Sequence, residues 1–417
     1  MKIKKVFYSA GSTGFYFDDQ KAIKAGAGHD GFTYKGKPVT NGFNSIRQAG
    51  ESVSIILELE DGIYAWGDAV AVQYSGTGGR DPLFLASKYI PFMQKHISPV
   101  LEGLKIDNFR ESAAYIDSLK FDGERLHTAI RYGLSQALLD AKAKSKNLLM
   151  CEVLCEEYSL PVIAGRIAIF GQSGDDRYNG ADKMIIKRAD VLPHALINNI
   201  DEKLGRRGEK LQEYIKWLAN RIRELRTSPD YCPTLHIDVY GTIGTIFDYV
   251  PGKIADYLAD LSKLSGEFPL YIEGPVDMEG KEPQIDMLKK IKDALAAIGS
   301  NVKIVADEWC NTYEDIVEFT NAASCHMVQI KTPDLGSIHN TINSVIYCKN
   351  NNMEAYQGGT CNETDVSARA CLHAAIATRP DRILAKPGMG FDEGFAIIKN
   401  ELERSICILS TKYGKKI

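Results

Sequence analysis

The hydrophobic pattern changes period once along the chain. Over the first third it alternates. Ser52-Val-Ser-Ile-Ile-Leu-Glu-Leu-Glu60 runs apolar and polar in turn, Asp61-Gly62 supplies a tight turn, and Ile63-Tyr-Ala-Trp-Gly-Asp-Ala-Val70 resumes. This predicts a β-hairpin. Residues 2–8 alternate weakly and predict a third strand. Apolar residues then recur at helical spacing over 84–103, 108–119 and 125–142. Strands followed by helices predict an α+β unit, expected to span 1–160.

From about residue 161 the rhythm becomes short apolar run, loop, amphipathic helix. The candidate strands are Ile167–Phe170, Lys183–Lys187, Thr234–Asp238, Pro269–Glu273, Lys303–Asp307, His326–Lys331, Met353–Gln357 and Arg382–Lys386. Eight alternations predict an α/β, TIM-type barrel over 161–417. The stretch 188–231 reads as an insertion, and a last helix over 393–409 is expected to pack back on the first unit. Between hairpin and helices lies Gln73-Tyr-Ser-Gly-Thr-Gly-Gly-Arg-Asp-Pro82, which reads equally as a surface turn or as a lid with Gln73 aimed into the barrel mouth.

Three of the predicted strands stop at an acid: Asp238, Glu273 and Asp307, 35 and 34 residues apart. One strand-plus-helix unit of such a barrel is about 30 residues, so the three carboxylates are aimed at one face, the face that carries catalysis in this fold. Carboxylates ending apolar runs are costly unless cations meet them, and an all-oxygen trio suits a single Mg²⁺. The next strand ends in Lys331, with Gln329 two residues back on the same face. A metal beside a lysine suits removal of a proton next to a carboxylate, where the developing charge is met by fixed charge. His236 is expected one layer below the metal. His194, taken alone, reads as structural, and Cys361 as a small contact residue with a useful backbone N–H.

Composition narrows the class. The chain has 417 residues, 44% hydrophobic and 25% charged, with a formal net charge of −4. Nothing there favours a nucleic-acid or anionic-membrane partner, and the basic clusters Arg206-Arg207 and Lys415-Lys416 are short. No run approaches the roughly 20 apolar residues of a membrane helix, and no signal-length segment opens the chain. Nine cysteines without a CxxC pair predict a reduced, cytoplasmic compartment.

The order acid, acid, acid, lysine on consecutive strands resembles the enolase superfamily. Longer stretches go further: Gly14-Phe-Tyr-Phe-Asp-Asp-Gln20, Gln172-Ser-Gly-Asp-Asp-Arg-Tyr178, His236-Ile-Asp-Val-Tyr-Gly241, Ala306-Asp-Glu-Trp-Cys-Asn-Thr312, Met327-Val-Gln-Ile-Lys-Thr-Pro-Asp-Leu-Gly336 and Gly358-Gly-Thr-Cys-Asn-Glu-Thr364 are similar to those of methylaspartate ammonia-lyases, nearly end to end. The resemblance implies an enolase-like barrel behind a capping domain, and elimination of ammonia from L-threo-3-methylaspartate to give mesaconate, as in glutamate fermentation. It implies Asp238, Glu273 and Asp307 as Mg²⁺ ligands, Lys331 as base and His194 across the site. Gln172, Gln329, Thr360 and Cys361 would hold the substrate, with Gln73 and Leu384 lining its amine and alkyl surroundings. K⁺ activation and a homodimer are further implications. The nearest alternative is another superfamily dehydratase or racemase, many of which carry Lys-x-Lys on the second strand, where this chain has Lys183 and Lys187 four apart. A metal-stabilised binding protein is the alternative outside enzymes.

Overall fold

The structure is a computed structural model describing residues 1–414; Lys415-Lys416 lie outside the described residues. Its N-terminal region is mixed α/β. Ile3–Asp18, Arg47–Leu59 and Tyr64–Ala69 form an antiparallel sheet in that order. The predicted hairpin is present, with Leu57 opposite Ala65. Val53, Ile55, Leu57 and Leu59 all turn to one face and are fully buried, as a period of two requires. Helices Ala86–His96, Phe109–Ser118 and Thr128–Lys146 follow.

The helix Thr128–Lys146 is buried on nearly all sides. Its first half is clamped against the sheet. A Cβ placed on Gly133 would meet the Ala69 nitrogen at 2.5 Å, and one on Gly67 would meet the Gly133 oxygen at 2.4 Å. Its other side faces the barrel: Ser135 Oγ accepts from the Ile338 N–H at 2.9 Å.

The barrel is closed by eight parallel strands: Ala168–Phe170, Val191–His194, Thr234–Asp238, Leu270–Glu273, Lys303–Ala306, Met327–Ile330, Glu354–Gln357 and Arg382–Leu384. Phe170, Val305, Met327, Tyr356 and Leu384 belong to a cluster that fills its interior, distinct from the larger core between strands and helices. The helix Asp392–Tyr413 ends on the N-terminal region, where Lys412 Nζ and Tyr413 Oη reach Glu152 at 3.1 and 2.7 Å. Among the described residues no helix is long and apolar enough to cross a membrane.

One predicted strand is wrong. Lys183–Lys187 belongs to the helix Arg177–Ile186 and its C-cap, and the second strand is Val191–His194. Met184 and Ile185 are buried while Ile186 is 69% exposed. Lys183 and Lys187, one helical turn apart, both pair with Asp392. A short apolar run flanked by lysines fits either periodicity, and here the next run took the sheet position. Lys187 is therefore absent from the barrel mouth, and the lysine spacing used to separate superfamily members falls on the wrong element. The stretch 188–231 is likewise an ordinary barrel unit, carrying strand Val191–His194 and helix Glu209–Leu225.

The Gly133 contact yields a stability prediction with a definite sign. Alanine raises helix propensity by about 1 kcal/mol over glycine, but the added methyl meets backbone that cannot rotate away, and overpacking costs typically 1–3 kcal/mol or more. Gly133→Ala is expected to lower the denaturant midpoint despite its better propensity.

Candidate active site and family

The C-terminal ends of the barrel strands bring their polar groups to one mouth. His194, Asp238 and Glu273 end the second, third and fourth strands. Asp307 and Lys331 each follow the last residue of the fifth and sixth. A cavity of about 90 Å³ is lined by His194, Asp238, Asp307, Gln329 and Lys331, by Gln172 after the first strand, by Thr360 and Cys361 after the seventh, and by Leu384 from the eighth. Gln73 enters it from the N-terminal region. Glu273 sits just beneath, fully buried. A larger groove of about 970 Å³, between Lys187, Arg188, Asp230 and Lys399, lies at the opposite end of the barrel and contains none of these acids.

The loop 73–82 is not a free surface turn. Gln73, Ser75 and Thr77 are buried. Arg80 Nε pairs with Asp334 Oδ2 at 2.8 Å, and Asn311 Nδ2 donates to the Gly78 oxygen at 3.3 Å. The stretch around Gly14 also approaches the barrel closely: its N–H donates to the Glu363 oxygen at 2.8 Å, and a Cβ there would meet Pro387 at 2.6 Å.

Electrostatics at the mouth follow from burial. Burial pushes the Asp238 carboxyl well above its ordinary value, with Asp307 adding to the rise. Burial likewise raises Glu273, reinforced by Asp238 and Asp307. Asp307 is raised by burial against the opposing pull of Lys331, whose Nζ is 2.8 Å from Oδ1. Burial pulls Lys331 down, yet Asp307 and Glu308 outweigh it, so its ammonium form is favoured. His194 Nε2 is 3.4 Å from Asp238 Oδ2; burial lowers the imidazole to about 4 and keeps it neutral. His194, Ala195 and Leu196 have φ of +67, +70 and +48°. Three consecutive non-glycine residues in the left-handed region concentrate backbone strain at the wall of the site.

The donor set fits a hard divalent cation. Three buried carboxylates repel one another, and Glu273 Oε2 and Asp307 Oδ1 have no hydrogen-bond partner of good geometry. Oxygen donors of this kind suit Mg²⁺. The ligand atoms packed within 4.8 Å of one another come from His194, Asp238 and Glu273, while Asp307 is turned to Lys331. His236, fully buried, stacks on Phe170 at 4.3 Å between centroids and brings Nε2 to 2.7 Å from Glu273 Oε2, off the line of a hydrogen bond. It thus lies against the acid from within the barrel, as its place two residues earlier on the strand predicts.

Several groups at the site are not among the candidates that the sequence singles out. Tyr356 Oη donates to Glu273 Oε1 at 2.7 Å and also contacts Gln329 Nε2; only the alternation of Glu354-Ala-Tyr-Gln357 indicates that it points inward. Lys386, fully buried, holds the loop bearing Thr360 and Cys361: its Nζ reaches Glu363 Oε1 at 2.8 Å and the Gly358 oxygen and Thr332 Oγ1 at 2.9 Å. Arg80 and Glu308 flank Lys331, with Glu308 Oε2 at 3.8 Å from its Nζ.

The chain is similar to known proteins along almost its whole length. Residues 1–159 match the family described as Methylaspartate ammonia-lyase N-terminus and 161–411 that described as Methylaspartate ammonia-lyase C-terminus. A methylaspartate ammonia-lyase of Citrobacter amalonaticus is 63% identical over 412 residues, 99% of this chain and all of the relative. Its crystal structure containing (2S,3S)-3-methylaspartic acid superposes with a TM-score of 0.97 over 98% of this chain and all of that one, at 62% identity. The Mg complex of β-methylaspartase from Clostridium tetanomorphum gives 0.95 at 54% identity, covering 99% and 100%. Muconate lactonizing enzyme from Pseudomonas fluorescens, 15% identical with a TM-score of 0.60 over 95% of this chain and 88% of that one, shares the enolase-superfamily fold alone. With both family matches running across almost its whole length and a relative at this identity, the chain belongs to the methylaspartate ammonia-lyase family.

Proposed function

We propose that the protein eliminates ammonia from L-threo-3-methylaspartate to give mesaconate, reversibly. The observation that carries this reading is the buried trio of acids set against one lysine at the mouth of the barrel. Asp238, Glu273 and Asp307 would hold Mg²⁺, which when bound supplies positive charge to the acids and to the substrate carboxylate next to C3. With the charge of Asp307 so balanced, one of the two carboxylates that favour the Lys331 ammonium would be withdrawn, and the lysine in its neutral form would be the base. Lys331 takes the proton from C3 of the threo isomer, and the C2–N bond then breaks to release ammonia. His194, neutral on the other side, steadies the developing charge by donating a hydrogen bond or serves the opposite C3 configuration. Gln172, Gln329, Thr360 and the Cys361 backbone orient the substrate, Gln73 meets its amine and Leu384 its alkyl group. Activation by K⁺, a homodimer, a cytoplasmic location and a capping domain 1–160 over a barrel domain 161–417 complete the proposal. The burial of Gln73 against the strand ends supports that division of labour.

Lys331→Ala is expected to reduce kcat on the threo substrate by about 10²–10⁴-fold, the usual worth of a positioned base, with Mg²⁺ binding retained in calorimetry. Normal turnover would remove Lys331 from the chemistry.

The raised carboxylates give a pH prediction. Asp238 and Glu273 hold their protons more tightly folded than unfolded. Their contribution to the stability of the metal-free protein is intact below the unfolded values of about 4 and is lost as pH rises through the folded values. In chelator, the denaturant midpoint is expected to fall between pH 5 and pH 8. Mg²⁺ at about 100 times its Kd is expected to restore about 2.7 kcal/mol at the higher pH. Asp238→Asn should lose most of both effects.

A further inference from the structure

The side-chain amide of Gln73 has two chemically different ends. The carbonyl oxygen accepts from an amine N–H, whereas the NH₂ end only donates. An amine subsite therefore depends on which end faces the cavity.

Asp18 decides this. Gln73 Nε2 donates to Asp18 Oδ2 at 2.6 Å. Both oxygens of that carboxylate accept from the Arg47 guanidinium and Oδ2 also accepts from Gln73, so Asp18 takes the NH₂ end of the amide. Oε1 is left on the other side, where the Cys361 thiol donates to it at 3.3 Å. Burial pushes the Cys361 thiol up, which keeps it a donor. One thiol uses one lone pair of Oε1, and the second remains for a ligand in the cavity that Gln73 and Cys361 both line.

Asp18 is itself fixed. It is 1% exposed, and Arg47 meets it with both arms, Nε to Oδ1 and a terminal nitrogen to Oδ2, each at 2.7 Å. Arg47 is braced in turn by the Phe32 oxygen at 3.0 Å and by the rings of Phe32 and Tyr34, whose centroids lie 4.5 and 5.0 Å from its guanidinium carbon. The Asp18 N–H donates to the Gln73 oxygen at 3.0 Å, which ties the two backbones as well. A fork-to-carboxylate pair is geometrically demanding, and nothing in the proton-removing apparatus uses it.

We propose that Asp18 and Arg47 are positioning residues that set the amide of Gln73 with its carbonyl oxygen toward the substrate amine, and so govern amine recognition from outside the cavity. The proposal rests on the reading of Gln73 as the amine contact. Asparagine at position 18 would offer an NH₂ group of its own. Gln73 would then turn over and present a donor to an incoming donor.

The test uses the Mg²⁺-loaded full-length enzyme in the addition direction, with separate KM values for ammonia and mesaconate. Asp18→Asn is expected to raise the ammonia KM by about 10-fold or more, the worth of one hydrogen bond to a charged or strongly polar group, with the mesaconate KM within about twofold. Added to Gln73→Ala, the same substitution is expected to change the ammonia KM no further, because its effect passes through an amide that is gone. Arg47→Lys keeps the charge but loses the fork, and is expected to raise the ammonia KM selectively, by less than Asp18→Asn does. It also serves as the second variant should Asp18→Asn fold poorly. The proposal is overturned if folded variants raise both KM values alike, or if Asp18→Asn acts fully in the Gln73→Ala background. Gln73→Ala with an unchanged ammonia KM would instead overturn the amine-contact reading beneath it.

Discussion

The mouth of this barrel is a concentration of buried negative charge that the protein alone does not neutralise. Burial raises the carboxyls of Asp238, Glu273 and Asp307; Asp307 adds to the rise at Asp238, and both of these add to the rise at Glu273. Lys331 answers Asp307 directly, and Tyr356 answers Glu273 with one hydrogen bond. Removing charges from water costs several kcal/mol per ion, and the attraction within one imperfect pair does not repay three. The remainder of the structure is arranged around that deficit. Tyr356 holds Glu273 from inside the barrel with His236 packed against it, while Arg80 adds positive charge from the N-terminal region beside Asp334 and Glu308. A divalent cation is a counterpart that fits such a site.

The N-terminal region completes the pocket and does not merely cover it. Its sheet is gripped by the helix Thr128–Lys146 at a contact with no room for a side chain at Gly133, and the other side of that helix bonds to the barrel. The strand bearing Gly14 reaches the loop of Glu363, and Glu363 in turn belongs to the buried pair with Lys386 beneath Thr360 and Cys361. Groups that line the cavity are thereby referenced to both parts of the chain.

Much of this was legible in the residues. The hairpin was plain because one face of it is wholly buried, and alternation is the direct trace of that. The acid-ended strands were plain because a carboxylate closing an apolar run has few structural explanations. The second strand was not legible: Lys183-Met-Ile-Ile-Lys187 satisfies a strand and a helical turn equally, and the surrounding packing, with Asp392 bridging both lysines, made the choice. The left-handed run at His194–Leu196 leaves no mark in residue types that normally avoid it. Arg80, Tyr356 and Asp18 act through partners 254, 83 and 55 positions away, and no local pattern encodes such pairings.

The walls of the pocket differ in how they are anchored. Lys331 and the three acids stand on or beside strands locked by the barrel ladder, and His194 on a stretch held in a strained backbone shape. Gln73 rides on a loop secured through side chains, chiefly the Arg80–Asp334 pair and the Asp18–Arg47 fork. Substitutions in that loop and its props can accumulate without disturbing the lysine and acids opposite. If Gln73 meets the substrate amine as proposed, diversification within this lineage runs along the nitrogen nucleophile, and the chemistry at carbon drifts far more slowly.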